Sequence, residues 1–132
     1  LGRRALEESI KYSQERTQHG KQIAGHQLIA EKIATMATQI DAARLLTLRA
    51  GDMIDKGIRC DVECSMAKWY GTEIGVNTTR QAVQIHGGNG VTKEFVVERL
   101  AREAIIGPIP DGTTEIQKLL IARMLTGVQA FR

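Results

Sequence analysis

The sequence predicts an all-α domain, an up-and-down four-helix bundle with an additional C-terminal helix. Three observations lead there. Only 4% of the 132 residues are aromatic and two are proline, while Ala, Leu, Ile, Glu, Lys, Arg and Gln are plentiful, a balance that favours helix over sheet. Apolar residues recur by fours and threes through long segments, which is the spacing of one helix face. Glycine and proline clusters cut the chain between those segments.

The elements follow in order. Leu6, Ile10 and Tyr12, interleaved with Glu7, Glu8, Lys11 and Glu15, predict a helix from about Arg3 to Arg16, ended near Gly20. Ile29, Ile33, Met36, Ile40, Ala43, Thr47, Ala50 and Ile54 form a stripe facing a partner helix. That segment, Gln27 to Lys56, makes a rod of about 45 Å and stops at Gly57. Asp61 is a plausible N-cap for a third helix reaching Ile85, with Ala67, Gly71, Ile74, Thr78, Gln81 and Ile85 on one face. Small residues there permit close helix contact. Gly87-Gly88-Asn89-Gly90 stops that helix in a turn. A fourth, shorter helix runs from about Glu94 to Ile105 with Val97, Leu100, Ala101 and Ala104, and ends before Pro108 and Pro110. Thr114 and Gln117 have capping-box spacing and open a last helix with Ile116, Leu119, Leu120 and Met124 inward.

Composition bounds the function. At 42% apolar and 25% charged, the chain is able to bury a core, and its length suits one compact domain. Lys and Arg exceed Asp and Glu by 18 to 15, without a basic run, which argues against nucleic acid as a partner. No apolar run approaches the roughly 18 residues of a membrane span. Cys60 and Cys64 stand four apart on one helix and give no disulfide framework, so a reducing interior is expected. None of His19, His26 or His86 follows a glutamate by three residues, so no bundle-type metal site is expected. Hydrolase elbows, Walker loops and dinucleotide fingerprints are absent.

Three clusters fall between the helices, where function tends to sit on a rigid scaffold. They are Glu15 to Gly20, Gln84 to Gly90, and Pro110 to Gln117. Singly they read as a solvated arginine, a glycine helix stop and a capped helix start. Together with Tyr12, His26-Gln27, Asp41-Ala42-Ala43-Arg44, Met66-Ala67-Lys68, Val97-Glu98-Arg99, Arg102-Glu103-Ala104 and Ala122-Arg123, in this order and register, they resemble the C-terminal helical domain of the acyl-CoA dehydrogenase family.

The resemblance implies that 1–132 is one such domain, normally preceded by an N-terminal helical and a middle β domain; a first residue other than methionine agrees. It implies FAD as cofactor and an acyl-CoA substrate oxidised to 2-enoyl-CoA, a base removing the α proton while the β hydride passes to the flavin. Partners would be an electron-transfer flavoprotein and further copies of the chain, as dimer or tetramer, in a bacterial cytoplasm or a mitochondrial matrix. Arg16 and Gln18 would approach the flavin's phosphates and ribose, with Gln27 nearby. Gln84 to Gly88, with Gly87 and Gly88 bare, would cradle the adenylate side of a neighbouring subunit's flavin. Thr113 and Glu115 sit at a helix start suited to an oxygen-rich ligand, and Gly112 would lie beside the thioester.

Asp111 stands where many family members carry the catalytic glutamate. One methylene shorter, its carboxylate falls more than about 1 Å short. Three readings stay open: a base for a bulkier or cyclic acyl group, a turn residue with the base upstream in a preceding helix, or a turn residue alone. His19, Val91 and Pro110 also replace common aromatics of the family. The resemblance further implies that this chain alone neither binds flavin tightly nor turns over. The competing class is a non-catalytic helical oligomerisation module.

Overall fold

A computed structural model describes residues 1–130; the last two positions of the expected 1–132 domain lie outside them. Among the described residues there are five α-helices: α1 (Gly2–Glu15), α2 (Gln27–Asp55), α3 (Asp61–His86), α4 (Val96–Ala104) and α5 (Thr114–Thr126). The bundle with its added C-terminal helix is the architecture expected, each boundary falling within two residues. α3 is the central rod and packs against the other four. Ala5, Ile23, Met36, Ala82, Ile85, Val97 and Leu100 form the core, with Leu6, Ile29, Ile33 and Phe95 packed against it.

Which face turns inward differs from the apolar pattern in three places. On α1 the buried seam is Ala5, Ser9 and Ser13, and the half-exposed Ile10 flanks it. Small side chains let α1 approach closely, and the two hydroxyls return their hydrogens to the carbonyls of Ala5 and Ile10 at 2.7 and 2.8 Å. On α2 Met36 and Ala50 are buried, but Thr47 and Ile54 are exposed. A 4-3 stripe repeats every 3.5 residues and a straight helix every 3.6, so the stripe drifts by about 70° between Ile29 and Ile54. On α5 the inward face is Thr114, Gln117 and Ile121, while Ile116 and Met124 are exposed. Gln117 turns in because its amide has carbonyl partners inside, described below.

Two caps shift by one residue. Cys60, not Asp61, holds the cap position of α3, and Asp61 instead pairs with Arg59. Thr113, not Thr114, caps α5, its hydroxyl accepting from Ile116 N–H at 3.4 Å.

A small hairpin was not legible as strand: β1 (Thr17–Gln18) pairs antiparallel with β2 (Lys21–Gln22). Its two-residue loop is His19 and Gly20, at φ 52° and 77°. Positive φ at both positions is the type I′ form of a two-residue hairpin loop, and glycine meets the second without strain. A 3-10 turn, Ile23–Gly25, then leads into α2, and a second, Gly87–Val91, leaves α3.

Candidate functional site

Arg16 is the residue after α1, in extended conformation, and its carbonyl accepts from Ile23 N–H at 2.8 Å, closing the hairpin against the helix end. That turn carries Gln18 and His19 toward the end of α3. There the helix stops at Gly87, whose φ of 59° and ψ of −135° lie where a side chain is strained. A Cβ on Gly87 or Gly88 would meet no atom within 4 Å, so both present bare backbone to open space.

Between them opens a cleft of ≈ 490 Å³, lined by Arg16, Gln18, His19, Gly87 and Gly88 over an apolar floor that includes Ile85. Two of the three inter-helix clusters therefore meet on one cleft, where the resemblance divided them between flavins of different subunits. Arg16 is exposed and has no ion-pair partner among the described residues. Its fork of donors is free for an anion. Gln27 and Gln84, both exposed, occupy the first turn of α2 and the last turn of α3 beside the cleft and are not among its lining residues.

Histidines complete the wall. All three of the chain's histidines line this cleft. His26 Nε2 donates to the Gln18 carbonyl at 3.2 Å, fixing the hairpin, and His86 Nδ1 donates to the Ala82 carbonyl at 2.8 Å. His86 is buried and stacks on Tyr12 with centroids 4.2 Å apart, while Phe95 meets both rings edge-on. Burial pushes the imidazole below its usual value, against the Ala82 carbonyl and Glu8, which favour charge. Asn89 donates to the Tyr12 hydroxyl at 3.0 Å and so ties the glycine turn to α1. The sequence carries no signal for this role of His86, because its stacking partners Tyr12 and Phe95 lie on other segments of the chain.

The third cluster lies at another corner. Thr114 donates to Glu73 Oε1 at 2.6 Å, and Glu73 precedes His86 by thirteen residues of α3, about 20 Å along the axis. Asp111 and Gly112 take φ of 56° and 90°, and their carbonyls turn inward. Lys68 Nζ reaches the Gly112 carbonyl at 2.7 Å, and Gln117 Nε2 reaches both carbonyls at 3.1 and 3.3 Å. A Cβ on Gly112 would come within 2.7 Å of that amide nitrogen, so the Gln117 side chain would have to swing away, and the φ of 90° disfavours any side chain there. The Asp111 side chain is exposed. Glu115, also exposed, is held below the usual carboxylate range by the Thr113 hydroxyl and by its own backbone N–H. Lys68 sits over this corner although only its motif, not its contact, was readable from the sequence.

Comparison with known proteins identifies the family. Residues 1–126 match the family model described as acyl-CoA dehydrogenase, C-terminal domain. An acyl-CoA dehydrogenase of Bacillus subtilis is 44% identical over 123 residues, covering 93% of this chain and 32% of that protein. The caffeyl-CoA reductase-Etf complex subunit CarC of Acetobacterium woodii is 46% identical over 121 residues, covering 92% and 32%. A crystal structure of a glutaryl-CoA dehydrogenase from Mycobacterium smegmatis in complex with FADH2 superposes with a TM-score of 0.94 at 31% identity, covering 99% of this chain and 34% of that one. The chain thus spans about a third of the length of the relatives it matches. Matched by that model over nearly its whole length, the chain belongs to the acyl-CoA dehydrogenase family, as its C-terminal domain.

Proposed function

We propose that this chain is the C-terminal part of a flavin-dependent enzyme that oxidises an acyl-CoA to the 2-enoyl-CoA. The observation that carries the reading is the joining of Arg16 and Gln18 to the bare backbone of Gly87 and Gly88 across an apolar floor. A free guanidinium suits a pyrophosphate, exposed amides suit ribose and adenine edges, and the Ile23 and Ile85 side of the cleft suits a ring face. The donor set therefore fits FAD. When bound, that cofactor supplies the acceptor for the substrate's β hydride.

In this reading the cleft takes the flavin of a neighbouring subunit, and the Asp111 corner meets substrate and flavin in its own. The exposed Leu45, Leu48 and Leu125 support an oligomer, since burying them needs another surface. Asp111 serves as the α-proton base. Its carboxylate is exposed in this chain and acts on the α proton once other parts of the protein and the acyl chain close over it. Thr113 and Glu115 position the start of α5 toward the flavin, and Gly112 leaves room for the thioester. An electron-transfer flavoprotein is the electron acceptor, consistent with the Etf-complex relative. The cytoplasm of a bacterium, or the mitochondrial matrix, is the site of action.

The test uses the full-length protein and its visible spectrum. It is expected to bind FAD and to bleach on addition of short, branched or cyclic acyl-CoAs. Arg16→Met should weaken FAD about ten- to a hundredfold, the worth of one charge-assisted hydrogen bond. Asp111→Asn should keep FAD and lose bleaching. Bleaching that persists in Asp111→Asn moves the base upstream, and a full-length protein that takes up no FAD leaves the oligomerisation module standing.

A further inference from the structure

Away from both corners, two nucleophilic side chains touch. Cys60 and Cys64 are free thiols whose sulfurs lie 3.6 Å apart. Cys60 is buried, whereas Cys64 is half-buried and lines a second cleft of ≈ 400 Å³ between the start of α3 and α5, together with Arg59, Leu120, Arg123 and Met124. A step of four residues advances about 6 Å along a helix, inside the roughly 4.4–6.8 Å that a disulfide spans between Cα atoms. Cys60 precedes the first helical residue and has φ −139° and ψ 35°, so its side chain is free of the helical direction. The sulfurs stand about 1.6 Å outside the roughly 2.05 Å of an S–S bond.

We propose that Cys60 and Cys64 are a dithiol that closes reversibly to a disulfide by exchange with a small soluble disulfide of the glutathione class entering the second cleft. The Cys64 thiolate attacks one sulfur of the small disulfide; its S–S bond breaks, one small thiolate leaves and takes a proton, and Cys64 carries the mixed disulfide. Cys60 then gives its proton to water and attacks the Cys64 sulfur, expelling the second small thiol. Two protein thiols are oxidised and one small disulfide is reduced to two thiols. Access sets the order, because Cys64 faces the cleft and Cys60 does not. Burial, and next the Cys64 thiol itself, push the Cys60 thiol up, which disfavours its thiolate as the first attacker. The bridge would sit one turn before Lys68, whose ammonium holds the Gly112 carbonyl.

The experiment exposes the native full-length protein to oxidised glutathione, alkylates the remaining thiols and digests with trypsin. Cleavage after Arg59 and Lys68 places both cysteines on one peptide, and a glutamate-specific protease then cuts after Glu63, between them. Expected are joint loss of both thiols, a peptide lighter by two hydrogens, and halves that stay joined after the second cut until dithiothreitol is added. Cys60→Ser should stop with one glutathionyl group on Cys64, and Cys64→Ser should react roughly tenfold more slowly. Glutathionyl groups on the wild type without a bridge, a bridge formed only in denaturant, or Cys64→Ser reacting as fast as Cys60→Ser would each overturn the proposal.

Discussion

The Lys68 ammonium donates to the carbonyl of Gly112 at 2.7 Å, joining the N-terminal third of α3 to a loop 44 residues further on. Gln117 donates to that carbonyl and to its neighbour. Two left-handed residues in succession are thus held by two side-chain donors, and the direction of the Asp111 carboxylate depends on them.

Lys68→Met keeps the length of the side chain and removes the donor. The loop should open, with exchange of the Thr114 N–H, which donates to the Pro108 carbonyl, at least tenfold faster and global stability lower by about 1–2 kcal/mol. Hydrogen exchange read by mass spectrometry, beside a urea melt, checks both. Unchanged exchange would mean that Gln117 suffices.

Two glycines of one turn should behave oppositely. A Cβ on Gly90 would drive into the Val83 carbonyl and lie 2.9 Å from Val83 Cα, all backbone of α3 that has nowhere to move. Gly90→Ala should cost about 1–3 kcal/mol or prevent folding. At Gly88 the Cβ meets nothing, so Gly88→Ala should hold stability within about 0.5 kcal/mol while its methyl narrows the cleft and weakens FAD in the full-length protein. Denaturation midpoints separate the two. Equal destabilisation by both would contradict the geometry.

His86 should make stability depend on pH in one direction. Its imidazole is neutral in the fold and takes up a proton on unfolding, because burial lowers its pKa in the native state. Its contribution is complete above the free-imidazole value of about 6.5 and is lost as pH falls toward the lowered native value. The urea midpoint should therefore rise between pH 5 and pH 7, and His86→Phe, which keeps a ring against Tyr12, should reduce that slope. A variant with the wild-type slope would assign the dependence to another group.

By itself the amino-acid sequence determined the helices, their ends and the family. These follow from local causes: the 3.6-residue period, the missing helix propensity of Gly87-Gly88, the broken hydrogen bonds at Pro108 and Pro110, and a long run of motif residues in register. What only the tertiary structure decided is which faces and corners meet. Ser9 and Ser13 lie inward although they are polar, because close helix approach favours small side chains whose hydroxyls bond back to the helix. Gln117 displaces Ile116 from the inward face because the left-handed loop before α5 turns the carbonyls of Asp111 and Gly112 toward its amide. Arg16 and Gly88 share a cleft since the hairpin at His19-Gly20 folds the chain back against the end of α3. Contacts between residues tens of positions apart depend on the angle and offset of packed rods, and no local pattern of residues carries that information.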